Sequence, residues 1–239
     1  MGKESATHAD AYWERAGQLG YAEAMYTSNQ VAQHIINRMA RIALEVAAEI
    51  GIPSSSDVLE LGCGDGYFSN CFLADNFASV VAFDKSEAAI DRARRSSRQN
   101  VRFEAADITA LELQQTSSVF LMGILHHLKT ETPRLVEMLA GIAERVVVME
   151  PNGNHVARKL LELTPSYRAA GEDSFRRREL VQIFERAGYR VQEDRRLNLF
   201  PNFTPEFVFR LCAPLEPFIE RSALLNGLCT VNMFGFIRN

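Results

Sequence analysis

The sequence predicts an α/β fold in which a largely parallel β-sheet carries helices on both faces. Three short apolar runs between residues 57 and 105 each end in a turn, and helical spacing follows the first two. Such strand–turn–helix units are typical of parallel strands joined by right-handed crossovers. A later run, residues 119–122, is apolar at every position, as in a central strand covered on both sides.

The chain of 239 residues, 47% of them hydrophobic, can bury the core of one domain. Residues 1–30 are polar but contain several aromatic side chains, which a disordered tag would rarely carry. We predict that this segment forms a lid in front of a single domain at 31–239. Residues 31–50 have helical apolar spacing, and Gly51 and Pro53 end that helix.

Residues 57–69, reading D-V-L-E-L-G-C-G-D-G-Y-F-S, form the corner around which the chain is organised. A predicted strand ends there in three glycines at alternate positions, Gly62, Gly64 and Gly66. Glycine allows positive φ and close approach of a ligand, and the free N–H groups of a helix start face that ligand. Tyr67 occupies the third glycine position of a dinucleotide fingerprint, which argues against a nicotinamide-dependent oxidoreductase.

Two further predicted strands lead to acidic residues. The strand at 79–83 ends at Asp84, close to the roughly 20-residue separation from Glu60 that a ribose-binding carboxylate shows. The strand at 101–105 leads to Asp107. Because the carboxyl ends of parallel strands meet at one edge, we expect both acids near the glycine corner.

The fourth predicted strand, 119–122, runs into Gly123 and the pair His126-His127, and the fifth ends at Glu150. The remaining predicted elements are helices at 131–143, 156–163 and 174–187, strands at 145–149, 189–195 and 229–237, and an aromatic, proline-punctuated insertion between the last two strands. A hairpin interrupted by that insertion places the last strand antiparallel.

Composition limits the classes of function. A net charge of −4 argues against the basic surface of a nucleic-acid-binding protein. The four cysteines lack metal-ligand spacing, so no metal is predicted; buried free thiols are expected, with Cys71 on the apolar face of a helix reaching about residue 74. No signal peptide and no apolar run of about 18 residues is visible, which favours a soluble, cytoplasmic protein.

The pattern E-x-G-x-G-x-G from Glu60 to Gly66, followed by Asp84 and Asp107 in order, resembles the class I S-adenosylmethionine-dependent methyltransferases. The resemblance covers residues 31–237. It implies a Rossmann-like sheet of seven strands, six parallel and the seventh antiparallel between the fifth and sixth. It also implies cap insertions around 152–173 and 197–228.

The resemblance assigns the cofactor S-adenosyl-L-methionine to residues at the strand ends. Residues 60–64 would hold the methionine moiety, Asp84 the ribose hydroxyls, and Gly123 would pass close to the sulfonium. Lys85 stands at a position that is often hydrophobic in the family, so its alkyl stem would pack on the adenine. Asp107 would accept from the adenine amino group, and Ile108 would supply a backbone N–H. The cofactor-binding residues so predicted are Glu60, Gly62, Cys63, Gly64, Asp84, Lys85, Asp107, Ile108 and Gly123.

A hydroxyl acceptor must lose a proton, which favours a histidine base at the carboxyl edge of the sheet. We predict His127, the second histidine of L-H-H-L, as that base, with His126 as the other candidate and Glu150 as an orienting or substrate-binding group. A structural role is the alternative for each. Asp84 has the alternative of a helix N-terminal charge, and Asp107 that of a loop cap.

Three arginines, Arg176-Arg177-Arg178, begin a predicted helix, where cations are unfavourable. They indicate either an anionic substrate group or a solvated face. The aromatic insertion indicates either an apolar cap over the acceptor or packing against the sheet or a second subunit. The oligomeric state is left open.

The sequence therefore predicts methyl transfer to a small, partly apolar acceptor, most consistently at oxygen, in the biosynthesis of a secondary metabolite, sugar or lipid. The alternatives are an N-methyltransferase and a catalytically silent protein that binds S-adenosylmethionine. Met122 and Gly123 stand where amino-directed relatives carry an N-P-P-Y-like signature. Net charge disfavours a nucleic-acid substrate without excluding RNA.

Overall fold

The computed structural model describes residues 20, 22, 27, 29–111, 115–165, 168, 173–201 and 204–239. The described helices are α1 (Gln30–Glu49), α2 (Glu87–Arg95), α3 (Thr132–Ile142), α4 (Val156–Leu161), α5 (Arg177–Arg186), α6 (Glu206–Cys212) and α7 (Glu216–Arg221). The strands are β1 (Asp57–Leu61), β2 (Ser79–Asp84), β3 (Val101–Ala105), β4 (Thr116–Met122), β5 (Ala143–Pro151), β6 (Tyr189–Leu197) and β7 (Val231–Arg238). Most of the predicted lid at 1–30 lies outside the described residues.

The seven strands form one sheet in the order β3-β2-β1-β4-β5-β7-β6. Pairing is parallel from β3 to β5, whereas β7 is antiparallel to both β5 and β6. The predicted α/β fold class, a seven-stranded Rossmann-like sheet with an antiparallel last strand between the fifth and sixth, is confirmed. The ends of β1, β2, β4 and β5 therefore share one edge, called here the carboxyl edge.

Helices cover both faces of the sheet. One core cluster joins α1 and α2 to the sheet and includes Val46, Ile90 and Phe120; the other joins α3 and α5 and includes Leu135 and Phe184. Central strand β4 contributes to both clusters, and this explains the absence of apolar–polar alternation in its sequence.

Local sequence sets the helix boundaries. Asn29 caps α1 by accepting a hydrogen bond from the Ala32 N–H at 2.8 Å, and Gly51 follows the helix at φ +78°. Ser86 caps α2 in the same way, accepting from the Ala89 N–H at 3.2 Å. The predicted helix at 174–187 instead begins at Arg177, after a stretch without regular structure.

The prediction that Cys71 lies buried on an apolar helix face is wrong. The glycine corner leads into a π-helical turn, Ser69–Leu73, which has more residues per turn than the α-helix assumed from sequence. The wider turn buries Ser69 and Leu73 and leaves Cys71 exposed. Cys63 and Cys229 are buried and Cys212 is half-buried, all as free thiols.

The insertion between β6 and β7 begins and ends at the carboxyl edge. The Thr230 N–H donates to the Asn198 carbonyl at 2.7 Å, and the Asn152 N–H, just after β5, donates to the Thr230 carbonyl at 2.8 Å. Arg38 of α1 pairs with Glu220, which fixes α7 against α1. The outward side of α6 and α7 exposes large apolar side chains: Phe207, Leu211, Leu215 and Phe218.

Candidate active site

The glycine corner is shaped by backbone that side chains would disrupt. Gly62, Gly64 and Gly66 have φ values of +81°, +54° and +76°. The N–H groups of Gly62 and Cys63 both donate to the Phe83 carbonyl, at 2.8 and 2.9 Å, which ties the turn to the end of β2. A Cβ added at Gly62 would lie 2.4 Å from Cγ1 of Ile124, so only glycine fits beneath that side chain.

Asp84 lies within the same turn. Its Oδ2 accepts from the Gly64 N–H at 2.8 Å, and its Oδ1 accepts from the Ser86 N–H at 2.9 Å. The carboxylate therefore joins the glycine corner to the start of α2, as the shared edge predicted. The bond to Ser86 also accords with the alternative reading of Asp84 as a helix N-terminal charge.

Glu60 is 1% exposed and accepts a hydrogen bond from the Ser69 hydroxyl. Burial is the main cause that raises the pKa of Glu60 to about 7; the hydrogen bonds from Ser69 oppose this rise, and the nearby charge of Asp84 contributes to it. This carboxylate lies beneath the corner, where a cationic group bound above would favour its ionised form. The contact with Ser69 was not predicted from sequence.

The predicted adenine contacts lie beside Asp84. The Ala106 N–H donates to the Asp84 carbonyl at 2.9 Å, which places Asp107 one residue beyond that bond. Asp107 is exposed, and its Oδ1 accepts from the N–H and the hydroxyl of Thr109 at 2.9 and 2.7 Å, the loop cap that sequence left open. Ile108 is buried, and Lys85 is exposed.

Gly123 and the two histidines follow β4 at the same edge. Gly123 has φ +76°, and its N–H donates to the Met149 carbonyl of β5 at 2.7 Å. A short 3-10 turn, Leu125–His127, then places the two imidazole rings 3.9 Å apart between centroids. His126 is 6% exposed, whereas His127 is half-buried.

Glu150 is hydrogen-bonded to His126, whereas the sequence analysis favoured His127 as the base. The Nδ1 atom of His126 lies 2.8 Å from Oε2 of Glu150, which is 1% exposed. The same carboxylate accepts the backbone N–H groups of Leu125 and His126, at 2.7 and 3.2 Å. A carboxylate that accepts these bonds also accepts from Nδ1–H, which makes Nε2 the basic nitrogen of a neutral His126 ring.

Part of the predicted lid touches the corner. The Ala22 N–H donates to Oδ2 of Asp65 at 2.7 Å, and Gly20 lies beside the guanidinium of Arg92. Asp65 was not singled out from sequence, because nothing in its neighbourhood reveals a partner 43 residues away. The aromatic residues of the predicted lid, Tyr12, Trp13, Tyr21 and Tyr26, lie outside the described residues.

The three arginines have different surroundings. Arg177 pairs with Asp194 of β6, whereas Arg176 and Arg178 are exposed. Among the described residues, no group of three or more His, Cys, Asp or Glu is arranged to hold a metal ion. None of the helices in the described part of the chain has the length and apolarity needed to cross a membrane.

Comparisons with known proteins agree with this geometry. The model of a family described as "Methyltransferase domain" matches residues 31–194, more than half of the chain. Among solved structures, magnesium protoporphyrin IX methyltransferase from Synechocystis PCC 6803 with bound SAH superposes with a TM-score of 0.61 at 18% identity, over 88% of each chain. The cyclase SpnF superposes with a TM-score of 0.66 at 14% identity, over 99% of this chain and 97% of its own. Both likenesses concern the fold.

A curated relative is a tRNA/tmRNA (uracil-C(5))-methyltransferase of Shewanella pealeana, 30% identical over 144 residues. The match spans 52% of this chain and 39% of the relative. The chain thus spans well under half the length of that relative.

Proposed function

The chain belongs to the methyltransferase-domain family and is an S-adenosylmethionine-dependent methyltransferase of the class I fold, and from this premise we propose that it methylates an oxygen of a small, partly apolar acceptor. The observation that carries the proposal is the buried Glu150–His126 pair at the carboxyl edge. Biosynthesis of a secondary metabolite, sugar or lipid is the setting that we infer for such an acceptor.

The glycine corner fits the cofactor because the chain leaves no Cβ there and keeps carboxylates close by. Gly62 and Gly64, both at positive φ, form the tight turn proposed to face the methionine end, and Glu60 beneath them complements its ammonium group. Asp84 accepts two backbone N–H groups, and a carboxylate with about four acceptor positions can also bind ribose hydroxyls. Cys63, Lys85, Asp107, Ile108 and Gly123 complete the proposed binding set.

The protein contributes alignment and a base. When bound, the sulfonium supplies an electrophilic methyl group, which an acceptor oxygen attacks in line. We infer that Nε2 of His126 takes the hydroxyl proton, while Glu150 holds the ring through Nδ1 and stabilises the imidazolium that forms. Glu150 is thus a positioning residue. His127, whose ring is tilted against that of His126, is the competing candidate.

The test is transfer of a labelled methyl group from S-adenosylmethionine to a library of small hydroxyl compounds, followed by mass determination of the product. His126→Gln should lower kcat by about 10²–10⁴-fold with unchanged S-adenosylhomocysteine affinity. His127→Gln is the matched control and should lower kcat by less than about tenfold. The reverse order of the two effects would assign the base to His127, and loss in neither variant would contradict base catalysis at this pair.

A protein that binds the cofactor without transferring methyl is the alternative that this assay removes. The fold alone does not decide the reaction, since SpnF is described as a cyclase. One methylated product, formed in at least one equivalent per enzyme, is enough to exclude this silent binding protein. Products methylated at nitrogen would correct the acceptor atom and leave the enzyme class unchanged.

RNA is a second candidate substrate because of the partial match to uracil-C(5) methyltransferases. Methylation at a pyrimidine carbon calls for a nucleophile that activates the ring, and a thiolate is well suited. Three of the cysteines do not serve this role well, because burial raises the pKa of Cys63 far above its usual range, that of Cys229 to about 11, and that of Cys71 above its ordinary value. A tRNA transcript in the same labelling assay should remain unmethylated.

A further inference from the structure

A cavity of about 390 Å³ opens beside α4, just after the end of β5. Its walls come from the turn at Gly153, from one side of α4 and from Arg176, which precedes α5. The volume falls within the range of about 300–1,000 Å³ typical of small-molecule sites. None of the residues that line this cavity belongs to the proposed cofactor site or to the catalytic pair.

One wall of the cavity is apolar and exposed. Val156, Leu160 and Leu163 are 74%, 62% and 61% exposed, and their spacing of four and three residues places them on one side of the helical chain. A single exposed apolar side chain is common on protein surfaces. Three such side chains that line one cavity instead provide a surface suited to the apolar part of a ligand.

The charged wall of the cavity carries two cations, Lys159 and Arg176. Lys159 is compensated, because its Nζ lies 2.6 Å from Glu162 and 3.4 Å from Asp173. The guanidinium of Arg176 makes no ion pair with any residue in the described part of the chain. A ligand that matches this cavity therefore carries one negative charge.

Arg176 is held in place by its backbone. A Cβ at Gly153 would lie 2.4 Å from the Phe175 carbonyl oxygen, so glycine there lets the chain before Arg176 close against the turn. The Gly153 N–H donates to that carbonyl at 3.0 Å, and the Arg177 N–H donates to Oδ1 of Asn154 at 3.1 Å. These bonds on either side of Arg176 fix the position from which its side chain extends.

The cavity adjoins the proposed catalytic pair. The Asp173 N–H donates to the His126 carbonyl at 3.3 Å. Arg176 follows three residues later, and three extended residues span at most about 10 Å. The backbone of Arg176 therefore lies within about 10 Å of Asp173, which is bonded to His126.

We propose that this cavity binds the charged end of the acceptor, which we infer to be an amphipathic monoanion. Arg176 would engage a carboxylate through two parallel N–H···O bonds, and the apolar body would lie on Val156, Leu160 and Leu163. This inference rests on the proposed function for the identity of the ligand as acceptor, whereas the site itself is tested without turnover.

The test is calorimetric titration of the full chain with decanoate, with decanol and acetate as probes of the separate parts. Wild type should bind decanoate more tightly than either probe. Arg176→Gln should weaken decanoate binding by at least about tenfold and leave decanol unchanged, because a charge-assisted pair is lost. Leu160→Ser should weaken both decanoate and decanol. Thermal unfolding confirms that each variant is folded.

Arg178→Gln is the matched control, since Arg178 is an exposed neighbouring cation outside the cavity wall. Equal weakening by Arg176→Gln and Arg178→Gln, or no binding of decanoate to wild type, would overturn the proposal. Decyl phosphate distinguishes the head group: tighter binding than decanoate, still dependent on Arg176, assigns a phosphate end and overturns the carboxylate.

Decanoate binding should persist in His126→Gln, so the two proposals fail separately. If His126→Gln abolishes methyl transfer while Arg176→Gln leaves decanoate binding unchanged, only the anion site is wrong. If decanoate binding depends on Arg176 while His126→Gln retains full transfer, only the catalytic assignment is wrong.

Discussion

The two ends of the carboxyl edge, the glycine corner and the cavity beyond β5, differ in how far their polar and apolar side chains are satisfied by contacts within the protein. At the glycine corner, Asp84 and Glu60 are hydrogen-bonded to nearby backbone or side chains, and Gly62 lies directly beneath Ile124. Beyond β5, apolar side chains of α4 remain exposed around a cavity, and Arg176 has no counter-ion among the described residues. We propose that the first end holds one fixed ligand, the cofactor, and that the second binds an acceptor.

Among the variants that follow, the largest effect is expected at Glu150, which holds His126 at the carboxyl edge. Glu150→Gln replaces a pure acceptor by an amide whose NH₂ must face either the Leu125 N–H or the backbone N–H and Nδ1 of His126. We expect kcat to fall by about 10²–10³-fold and the acidic limb of the pH–rate profile to shift, with cofactor affinity retained. Glu144→Gln, on the exposed start of the same strand, is the control. An unchanged pH profile would reduce Glu150 to a structural group.

Gly62→Ala tests the rigidity of the cofactor end. The substitution combines φ +81° with a Cβ 2.4 Å from Ile124, and we expect a loss of about 3 kcal/mol in the free energy of unfolding. Urea denaturation measures it. Gly227→Ala, where nothing lies within 4 Å of the added Cβ, should change stability by no more than about 0.5 kcal/mol. Similar values for the two variants would mean that the corner is not tightly packed.

Glu60→Gln tests whether the buried carboxylate at the cofactor end lowers the stability of the protein while favouring cofactor binding. The folded chain raises the pKa of Glu60 from 4.5 to about 7, so the folded state holds the proton more tightly than the unfolded chain. The contribution of protonated Glu60 to the free energy of unfolding is fully present below pH 4.5, its pKa in the unfolded chain. That contribution is lost as the pH rises through 7. The variant should therefore be more stable than wild type by about 2–3 kcal/mol at pH 8, with the difference closing as pH falls toward 4.

Denaturation of the cofactor-free proteins at several pH values measures this difference. Cofactor affinity should decrease in the same variant, because the carboxylate no longer faces the ammonium group. A pH-independent difference in stability would contradict the raised pKa.

The smallest expected effect concerns the attachment of the insertion. Glu220 and Arg38 form a largely buried pair, and Glu220 also accepts the Asn198 N–H at 2.9 Å. Glu220→Gln should lower the free energy of unfolding by about 1–2 kcal/mol. Glu206→Gln, in an exposed pair with Arg210, should have an effect below about 0.5 kcal/mol. Equal effects would mean that α7 is not held by this pair.

The same contrast explains what sequence could predict. The strands along the chain, the glycine corner and the helix stop at Gly51 are encoded in local patterns of apolar spacing and turn residues. The place of the last strand between the fifth and sixth followed from the family resemblance instead. Cys71 was misplaced because the π-helical turn changes the helical period without a distinctive sequence signal. Glu150 was a candidate orienting group, but its choice of His126 depends on how the 3-10 turn directs two adjacent rings.

The cavity could not be predicted from the sequence, because it forms only where α4 and the segment before α5 come together in the fold. The run of three arginines looked uniform, whereas the fold pairs Arg177 with Asp194 and directs Arg176 to the cavity. Such differences arise from contacts across the tertiary structure and leave no periodic trace along the chain.

The most direct test of the account is calorimetric titration of S-adenosylhomocysteine into wild type, Asp84→Asn and Arg176→Gln. We expect micromolar binding to wild type, weakening by at least about tenfold in Asp84→Asn because ribose bonds to the carboxylate are lost, and no change in Arg176→Gln. Wild-type affinity in Asp84→Asn would contradict a cofactor site formed by the glycine corner and the end of β2.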